Sequence, residues 1–282
     1  MFRDVGQAKK VEMERDDHNA ESRSNSLVLA VLFWILLTLA QVMKWFVIFP
    51  LALLWILEDV NANGLEVHWS GSMKTFNWHP LMAIIGFALL GGDGVLVFRG
   101  LSRIGVSSKP VLKFIHGLLM FLSLLCVSIS MAAIFYFHTV NGYTNLDSFH
   151  GQFGFACVIQ YGAQYLFGLI LFAFPCVPAN ARRLAMPYHR FMGKSLLILA
   201  AMCIVSGLTT KLGGENGKST SPDIRTGIAL GFLIPYMFAV VLFLLGRDEY
   251  RRYQSPSSKP SHAGESGKKD GSDRALLSQE KP

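Results

Sequence analysis

The stretch FNWHPLMAIIGFALLGGDGVLVFR, residues 76–99, has a histidine near its start and one carboxylate, but no other formal charge before its final arginine. Such a run is long enough to cross the hydrocarbon core of a bilayer, which takes about 20 helical residues. Five further apolar runs accompany it, and an open-edged sheet cannot satisfy its backbone in lipid. The sequence therefore predicts an all-α membrane protein with six transmembrane helices, at roughly 32–57, 77–98, 113–137, 150–175, 190–210 and 227–246.

The composition agrees with a membrane protein. Of the 282 residues, 51% are hydrophobic and only 16% are charged, whereas soluble domains average about 25% charged residues. The first apolar run contains Lys44, and Pro50 is expected to kink it. We expect a cytosolic N-terminal segment over 1–31 that is not a cleaved signal peptide, a six-helix domain over 32–252, and a disordered cytosolic tail over 253–282.

Lysine and arginine are distributed unevenly between the two sides of these helices. Sixteen of them flank the side that holds both termini, and four lie on the other side. Because cytosolic loops are enriched in Lys and Arg, both termini are predicted to be cytosolic. The net charge of +7 is then mainly a topology signal, and no nucleic-acid partner is expected.

Four histidines lie singly at the ends of four consecutive predicted helices. Alternating helix direction places His79 and His150 in the outer leaflet, and His116 and His189 in the inner one. Imidazole in hydrocarbon is costly unless it binds something, and it is a standard axial ligand of haem iron. At about 1.5 Å of helix rise per residue, the two pairs lie roughly 20 Å apart. The pattern favours two haems inside a four-helix bundle formed by helices 2–5.

Other interpretations explain less of this pattern. One histidine near a helix end is commonly an interfacial residue, but four that match in depth by pairs are not expected by coincidence. A metal site is disfavoured because no Asp, Glu or Cys joins either pair, and a proton relay has only Asp93 available. We interpret Asp93, which lies among glycines, as a local hydrogen-bonding residue. The cysteines form no CxxC motif and are interpreted as small buried side chains: Cys126, Cys157, Cys176 and Cys203.

Several motifs resemble those of the eukaryotic cytochrome b561 family, over about residues 36–252. Phe76-Asn-Trp-His-Pro80 is similar to the start of that family's second helix, and Val95-Leu-Val-Phe-Arg99 to its Leu-Val-Tyr-Arg end. Lys109-Pro-Val-Leu-Lys-Phe-Ile-His116 and the pair of Arg182 with Met186-Pro-Tyr-His189 match its third and fifth helices. The family places one ligand on each helix, unlike respiratory cytochrome b and ferric-reductase folds.

The resemblance implies a transmembrane oxidoreductase that passes single electrons from cytosolic ascorbate through two non-covalent b haems. His79 with His150 would bind the outer haem iron, and His116 with His189 the inner one, with no catalytic residue separate from these ligands. Ascorbate is a monoanion, which a cluster of cations would concentrate. The resemblance assigns that role to Arg99, Lys109, Lys113 and Arg182, and it also implies a homodimer.

The outer side departs from the family. Phe137 and His138 match an aromatic-His pair that contacts the outer acceptor, which is monodehydroascorbate or a ferric chelate. The family's Tyr-Ser-Leu-His-Ser-Trp is replaced by Asp147-Ser-Phe-His150-Gly-Gln. The added carboxylate and the lost aromatic rings are expected to weaken binding of an anionic acceptor and to favour a cationic or metal species. His68 is interpreted as a solvated loop residue.

Two alternatives remain from the sequence: a haem-containing carrier or transporter without reductase activity, and a scaffolding subunit. The second leaves the cytosolic cations unexplained. In the tail, Asp273-Arg-Ala-Leu-Leu277 matches an acidic dileucine signal, which favours endosomal or lysosomal membranes over the plasma membrane and leaves secretory vesicles open.

Overall fold

The computed structural model describes residues 2–57, 64–213 and 222–247, and the regular structure in these ranges is helical. Within these ranges, six helices are long and apolar enough to cross a membrane, which confirms an all-α, multi-pass membrane protein. We label them α1 (Ser24–Ile56), α2 (Met73–Gly100), α3 (Lys109–Asn141), α4 (Phe149–Ala173), α5 (Ala179–Gly213) and α6 (Ile224–Gly246). The predicted tail over 253–282, with its dileucine motif, lies outside the described residues.

Local capping residues explain where several of these helices begin and end. The Ser72 hydroxyl accepts a hydrogen bond from the Lys74 N–H at the start of α2 (3.2 Å), and the Ser148 hydroxyl accepts one from the Gly151 N–H at the start of α4. Helix α3 has a proline in its first turn and ends at Gly142 in the left-handed region (φ 71°). Serine and proline at helix starts and glycine at a helix end are the residues these positions favour.

Helix α1 differs from its predicted form at its start and in its interior. An α-helix runs without interruption from Phe2 to Val42, so residues of the predicted N-terminal segment continue into α1 as helix. A π-helical segment, Met43–Ile48, ends two residues before Pro50. Proline cannot donate the usual backbone hydrogen bond, and a change in helical hydrogen bonding accompanies it here. Helices α2 and α4 also contain π-helical segments, Ile84–Gly91 and Leu169–Ala173.

Helices α2–α5 form the predicted four-helix bundle. Each packs against its neighbour in the series α2, α3, α4 and α5, and α5 also contacts α2, so that α2 faces α4 and α3 faces α5 across the centre. Helices α1 and α6 pack on this bundle, and Ile48 and Met237 are fully buried between helices. Phe46 and Phe232 are each 76% exposed, as apolar side chains facing lipid are.

The contacts between helix ends define two faces of the bundle. On the basic face, which includes loops 101–108 and 174–178, the end of α2 contacts the end of α6 through Arg99. On the opposite face, which includes loops 64–72 and 142–148, the Asn141 side-chain amide donates to the Gly71 carbonyl (2.8 Å). The basic face is the one predicted to be cytosolic.

Candidate functional site

The structure brings the four histidines together as the two predicted pairs. The ring centroids of His79 and His150 are 5.9 Å apart with an interplanar angle of 74°, and those of His116 and His189 are 6.3 Å apart at 80°. The first pair joins α2 to α4 near the opposite face, and the second joins α3 to α5 near the basic face. Each pair therefore spans the bundle core along one of its two diagonals.

The ring separation is suited to a metal ion held between the two imidazoles of each pair. Metal–imidazole bonds are about 2 Å long, so two rings bound on opposite sides of one ion have centres about 6 Å apart. Both observed distances are close to this value. Two facing imidazoles are thus placed to share one ion at each end of the bundle.

In the pair near the opposite face, hydrogen bonds to Nδ1 orient both rings. His79 Nδ1 lies 3.1 Å from the Ser130 carbonyl oxygen, which can only accept, so Nδ1 carries the proton. The Ser130 hydroxyl in turn donates to the His79 carbonyl (2.8 Å). The Ser206 hydroxyl donates to the Cys203 carbonyl and lies 3.1 Å from His150 Nδ1, from which it can accept. These bonds leave the Nε2 lone pairs available for a metal.

The pair near the basic face is oriented by a backbone carbonyl and an amide. His116 Nδ1 donates to the Gly94 carbonyl oxygen at 2.7 Å, which again leaves Nε2 unprotonated. The Gln164 side-chain amide lies 2.9 Å from His189 Nδ1 and donates to the His189 carbonyl at 2.8 Å. The partners of His79, His150 and His116 can each accept the Nδ1 proton, as the partners of metal-binding histidines usually do, whereas Gln164 presents a donating amide nitrogen to His189 Nδ1.

Two glycines leave the space that the histidine rings occupy. A Cβ atom at Gly207 would lie 2.7 Å from His150 Cε1, and one at Gly168 would lie 3.1 Å from His189 Cε1. Both separations are shorter than ordinary carbon–carbon contacts, so a larger residue at either position would displace an imidazole. One glycine thus serves each histidine pair.

The donor set fits haem iron better than a metal ion bound by protein alone. In the described residues, no group of three or more His, Cys, Asp or Glu side chains could hold a metal ion. Structural zinc usually takes four protein ligands, whereas haem iron takes four nitrogens from its macrocycle and needs only axial ligands from the protein. Two opposed imidazoles in an apolar bundle core therefore match a b-type haem at each end.

Comparison with known proteins agrees with this arrangement. The model of the family described as eukaryotic cytochrome b561 matches residues 78–213, which include all four histidines. A lysosomal membrane ascorbate-dependent ferrireductase of Danio rerio is 31% identical over 65% of this chain and 78% of its own length. The chain belongs to the eukaryotic cytochrome b561 family.

Two mammalian members of the cytochrome b561 family show similar levels of identity. A plasma membrane ascorbate-dependent reductase of Mus musculus is 30% identical over 74% of this chain and 71% of its own length. A transmembrane ascorbate-dependent reductase of Sus scrofa is 32% identical over 66% of this chain and 73% of its own length. The names of these three relatives refer to different membranes or acceptors. Family membership alone therefore determines neither the membrane nor the acceptor of this chain.

On the basic face of this cytochrome b561 homologue, the four predicted cations do not all point to one place. The Lys113 ammonium donates to the Phe172 carbonyl at the end of α4 (3.1 Å), and the Phe172 ring is 5.1 Å from that of His189. The Arg99 guanidinium instead donates to the carbonyls of Leu244, Leu245 and Arg247 at the end of α6. Lys109 and Lys113 are exposed and Arg182 is half-buried.

On the opposite face, aromatic rings connect His79 to the surface. The Phe76 ring is 6.2 Å from that of His79 and 5.5 Å from that of Phe137. Phe137 and His138 both lie beside Tyr143, at 6.0 and 5.8 Å between centroids. The predicted aromatic-His pair is therefore one ring removed from the histidine pair, through Phe76.

Two expectations from the sequence were wrong. Asp93 is not a local hydrogen-bonding residue, because its carboxylate forms an ion pair with Lys44 of α1 and accepts a hydrogen bond from Trp45 Nε1 (3.1 Å). The cysteines are not all buried: Cys157 and Cys203 are buried and Cys126 is half-buried, but Cys176 is exposed in the loop between α4 and α5. All four are free thiols.

Sequence reasoning missed several residues around the histidines. Ser130, Ser206 and Gln164 are polar residues within apolar helices, and that contrast is the one signal that could have selected them. Lys211 is one of the four cations on the less basic side and was given no other role, yet its ammonium lies 5.5 Å from the centre of the Phe76 ring. Asp147 occupies the position of the family's tyrosine. Tyr143 lies four residues before it, and nothing in the local sequence marks Tyr143 as the ring that contacts Phe137 and His138.

Proposed function

We propose that the protein is an ascorbate-dependent transmembrane reductase that holds two b-type haems, one on each histidine pair. The observation that carries the proposal is the presence of two facing imidazole pairs at opposite ends of one bundle. Each histidine pair would hold one haem, which would supply a one-electron carrier suited to electron transfer rather than to oxygen chemistry. The names of the relatives support ascorbate as the donor.

Ascorbate is proposed to bind at the basic face, and that face is proposed to be cytosolic. The excess of Lys and Arg supports this orientation, and exposed Lys109 and Lys113 offer positive charge to a monoanion arriving from water. Lys113 contacts Phe172, which lies against His189, so a donor held there is close to the histidine pair. Arg182 completes the binding cations, and Arg99 contributes at the same face by holding the end of α6.

Loss of one electron and one proton converts the ascorbate monoanion into monodehydroascorbate. Water is the proton acceptor we propose, because the lysines that bind the donor are open to solvent. The buried bundle core around the histidines excludes water from the space between the two pairs. Between them lie apolar side chains such as Phe87, whose ring stacks on that of Tyr161 at 5.8 Å.

The acceptor is proposed to bind at the opposite face, beside His138 and Tyr143. Phe137 and Phe76 connect this surface to His79 by ring contacts, and the His138 ring nitrogen is 3.1 Å from the Asn145 side-chain oxygen. Either monodehydroascorbate or a ferric chelate can accept a single electron there. The exposed carboxylate of Asp147 favours a ferric species over the monodehydroascorbate anion. The homodimer implied by the family stays a prediction.

The decisive experiment traps ascorbate inside vesicles that contain the purified protein and adds an impermeant ferric reporter outside. If the protein is a transmembrane reductase, we expect the external reporter to be reduced only when the vesicles contain both ascorbate and haem-loaded protein. The matched control is a vesicle containing His79→Ala, in which the pair near the opposite face is broken. Haem-loaded protein that leaves the reporter oxidised would instead support the haem carrier without reductase activity.

A further inference from the structure

An ion pair lies inside the membrane-spanning part of the protein and outside both histidine pairs. Lys44 of α1 contacts the Asp93 carboxylate of α2, and the side chain of Lys44 is 0% exposed while that of Asp93 is 20% exposed. Lys44 is part of the π-helical segment Met43–Ile48, and Asp93 closely follows the π-helical segment of α2. Trp45, next to Lys44, donates a second hydrogen bond to Asp93.

Stability alone gives a weak reason for this ion pair. Charged side chains within a bilayer are costly, and those that occur there are usually functional. Breaking a buried pair is destabilising, but replacing both partners by apolar residues is often neutral or favourable. Helix α1 is already attached to α6 and α2 by fully buried apolar side chains, including Phe33, Ile48 and Ala52.

The ion pair is close to one histidine pair and far from the other. Gly94 directly follows Asp93, and its carbonyl accepts the hydrogen bond from His116 Nδ1 at 2.7 Å. One peptide unit therefore separates the charged residue from the hydrogen-bond partner of a proposed iron ligand. His79 lies near the start of α2, about 20 Å from Asp93 at the usual helix rise. A charge at Asp93 consequently acts mainly on the pair near the basic face.

From this geometry we infer that Lys44 and Asp93 set the reduction potential of the haem near the basic face. Their role is that of positioning residues that act through charge, and it rests on the proposed two-haem function. An electron added at that site is repelled by a nearby carboxylate and attracted by a nearby ammonium. The low dielectric of the core strengthens both effects. Lys44 thus offsets the carboxylate of Asp93, which would otherwise make the site harder to reduce.

The test is a spectroscopic redox titration of the full-length, haem-loaded protein in lipid nanodiscs. It compares wild type with Lys44→Met, Asp93→Asn and the double variant. Asp93→Asn removes the carboxylate, so the Lys44 ammonium acts without an opposing charge and raises the reduction potential of the basic-face haem. Lys44→Met removes the ammonium, so the Asp93 carboxylate acts without an opposing charge and lowers this potential. The potential of the double variant is close to that of wild type. The second haem transition stays in place in all four proteins.

Several results would overturn the inference: unchanged potentials in both single variants, shifts in the same direction, or equal shifts of both haem transitions. If Lys44→Met does not fold, Lys44→Arg and Asp93→Asn are compared instead. A wild-type potential in Lys44→Arg together with a raised potential in Asp93→Asn supports the inference. A wild-type potential in Asp93→Asn refutes the inference. Lys74→Met, an exposed lysine on the opposite face, is the matched control. Wild-type protein that binds no haem refutes the proposed function instead, so the two failures are distinguishable.

Discussion

The two halves of the bundle have the same interior and different surfaces. Near each face two imidazoles from diagonal helices oppose each other at about the same spacing, 5.9 Å in one pair and 6.3 Å in the other. Outside the pair near the basic face stand exposed lysines, whereas outside the other pair stand aromatic rings and a carboxylate. The interior thus repeats one arrangement of paired histidines, and the different surfaces fit the proposed assignment of a donor end and an acceptor end.

The largest expected effect separates the two halves directly. His116→Ala or His189→Ala removes one of two axial ligands and eliminates haem binding near the basic face, while the other half keeps much of its haem. Haem content per polypeptide and the reduced absorption band measure this. His68→Ala, an exposed loop histidine, is the control and keeps both haems. Two retained haems in the His116 and His189 variants would contradict the ligand assignment.

A smaller change tests the proposed donor end alone. Lys113→Ala removes one charge-assisted contact of the proposed ascorbate site, which corresponds to roughly tenfold slower reduction of the protein by ascorbate. Stopped-flow reduction by ascorbate and by dithionite measures the difference, because dithionite does not need the binding site. Arg190→Ala, an exposed cation on the same face, leaves both rates near wild type. Equal slowing with both reductants would argue against a binding role for Lys113.

The acceptor end is tested by neutralising its carboxylate. Asp147→Asn removes repulsion of anionic acceptors, and reduction of an anionic ferric complex is expected to become about two- to fivefold faster at low salt. Rates from ascorbate-loaded vesicles are measured with anionic and cationic ferric complexes. High ionic strength is the control and should abolish the difference between variant and wild type. A uniform change with both acceptors would show that Asp147 does not select by charge.

The smallest effect concerns the loop that precedes α2 on the opposite face. Hydrogen bonds from the Thr75 hydroxyl and then from the Ser70 N–H lower the pKa of Glu66 to about 2. A carboxyl whose folded pKa is lowered stabilises the fold above its unfolded pKa of about 4.5, and this contribution is lost as the pH falls toward 2. The loop therefore keeps its hydrogen bonds in an acidic compartment at about pH 5.

Replacing Glu66 by Gln measures this contribution. At pH 7 the variant is expected to unfold at a temperature lower by less than about 3 °C, because the side chain is close to solvent. The difference between variant and wild type should diminish below pH 4.5 and disappear near pH 2. Ser22→Ala, at an exposed position of the helical stretch that precedes α1, provides a control with no loss at either pH. A difference that grows on acidification would contradict the sign of the pKa shift.

Much of the architecture could be predicted because membrane helices are governed by short-range rules. Hydropathy located all six spans, and the distribution of Lys and Arg along the chain distinguished a basic face from the opposite face. The pairing of His79 with His150 and of His116 with His189 followed from depth alone, since antiparallel helices place residues at matching levels. The bundle formed by α2–α5 then put each pair on a diagonal.

Contacts that depend on the rotation of each helix could not be predicted in the same way. The family resemblance grouped Arg99 with Lys113 in one binding site, yet their side chains extend to α6 and α4. Asp93 was considered only within its own helix, while its partner stands far away in sequence on α1. The π-helical segments next to Lys44 and Asp93 alter the angular positions of side chains, which a regular helical periodicity does not anticipate.

The sequence by itself determined that this is a six-helix membrane protein with one candidate haem ligand on each of four helices and a basic side. Those properties depend on how far each residue lies along its own helix, and composition and spacing record that distance. Only the tertiary structure decided which polar groups meet: Ser130 with His79, Gln164 with His189, and Lys44 with Asp93. These contacts depend on how neighbouring helices are rotated and packed, and packing satisfies in three dimensions the polar groups that lipid cannot.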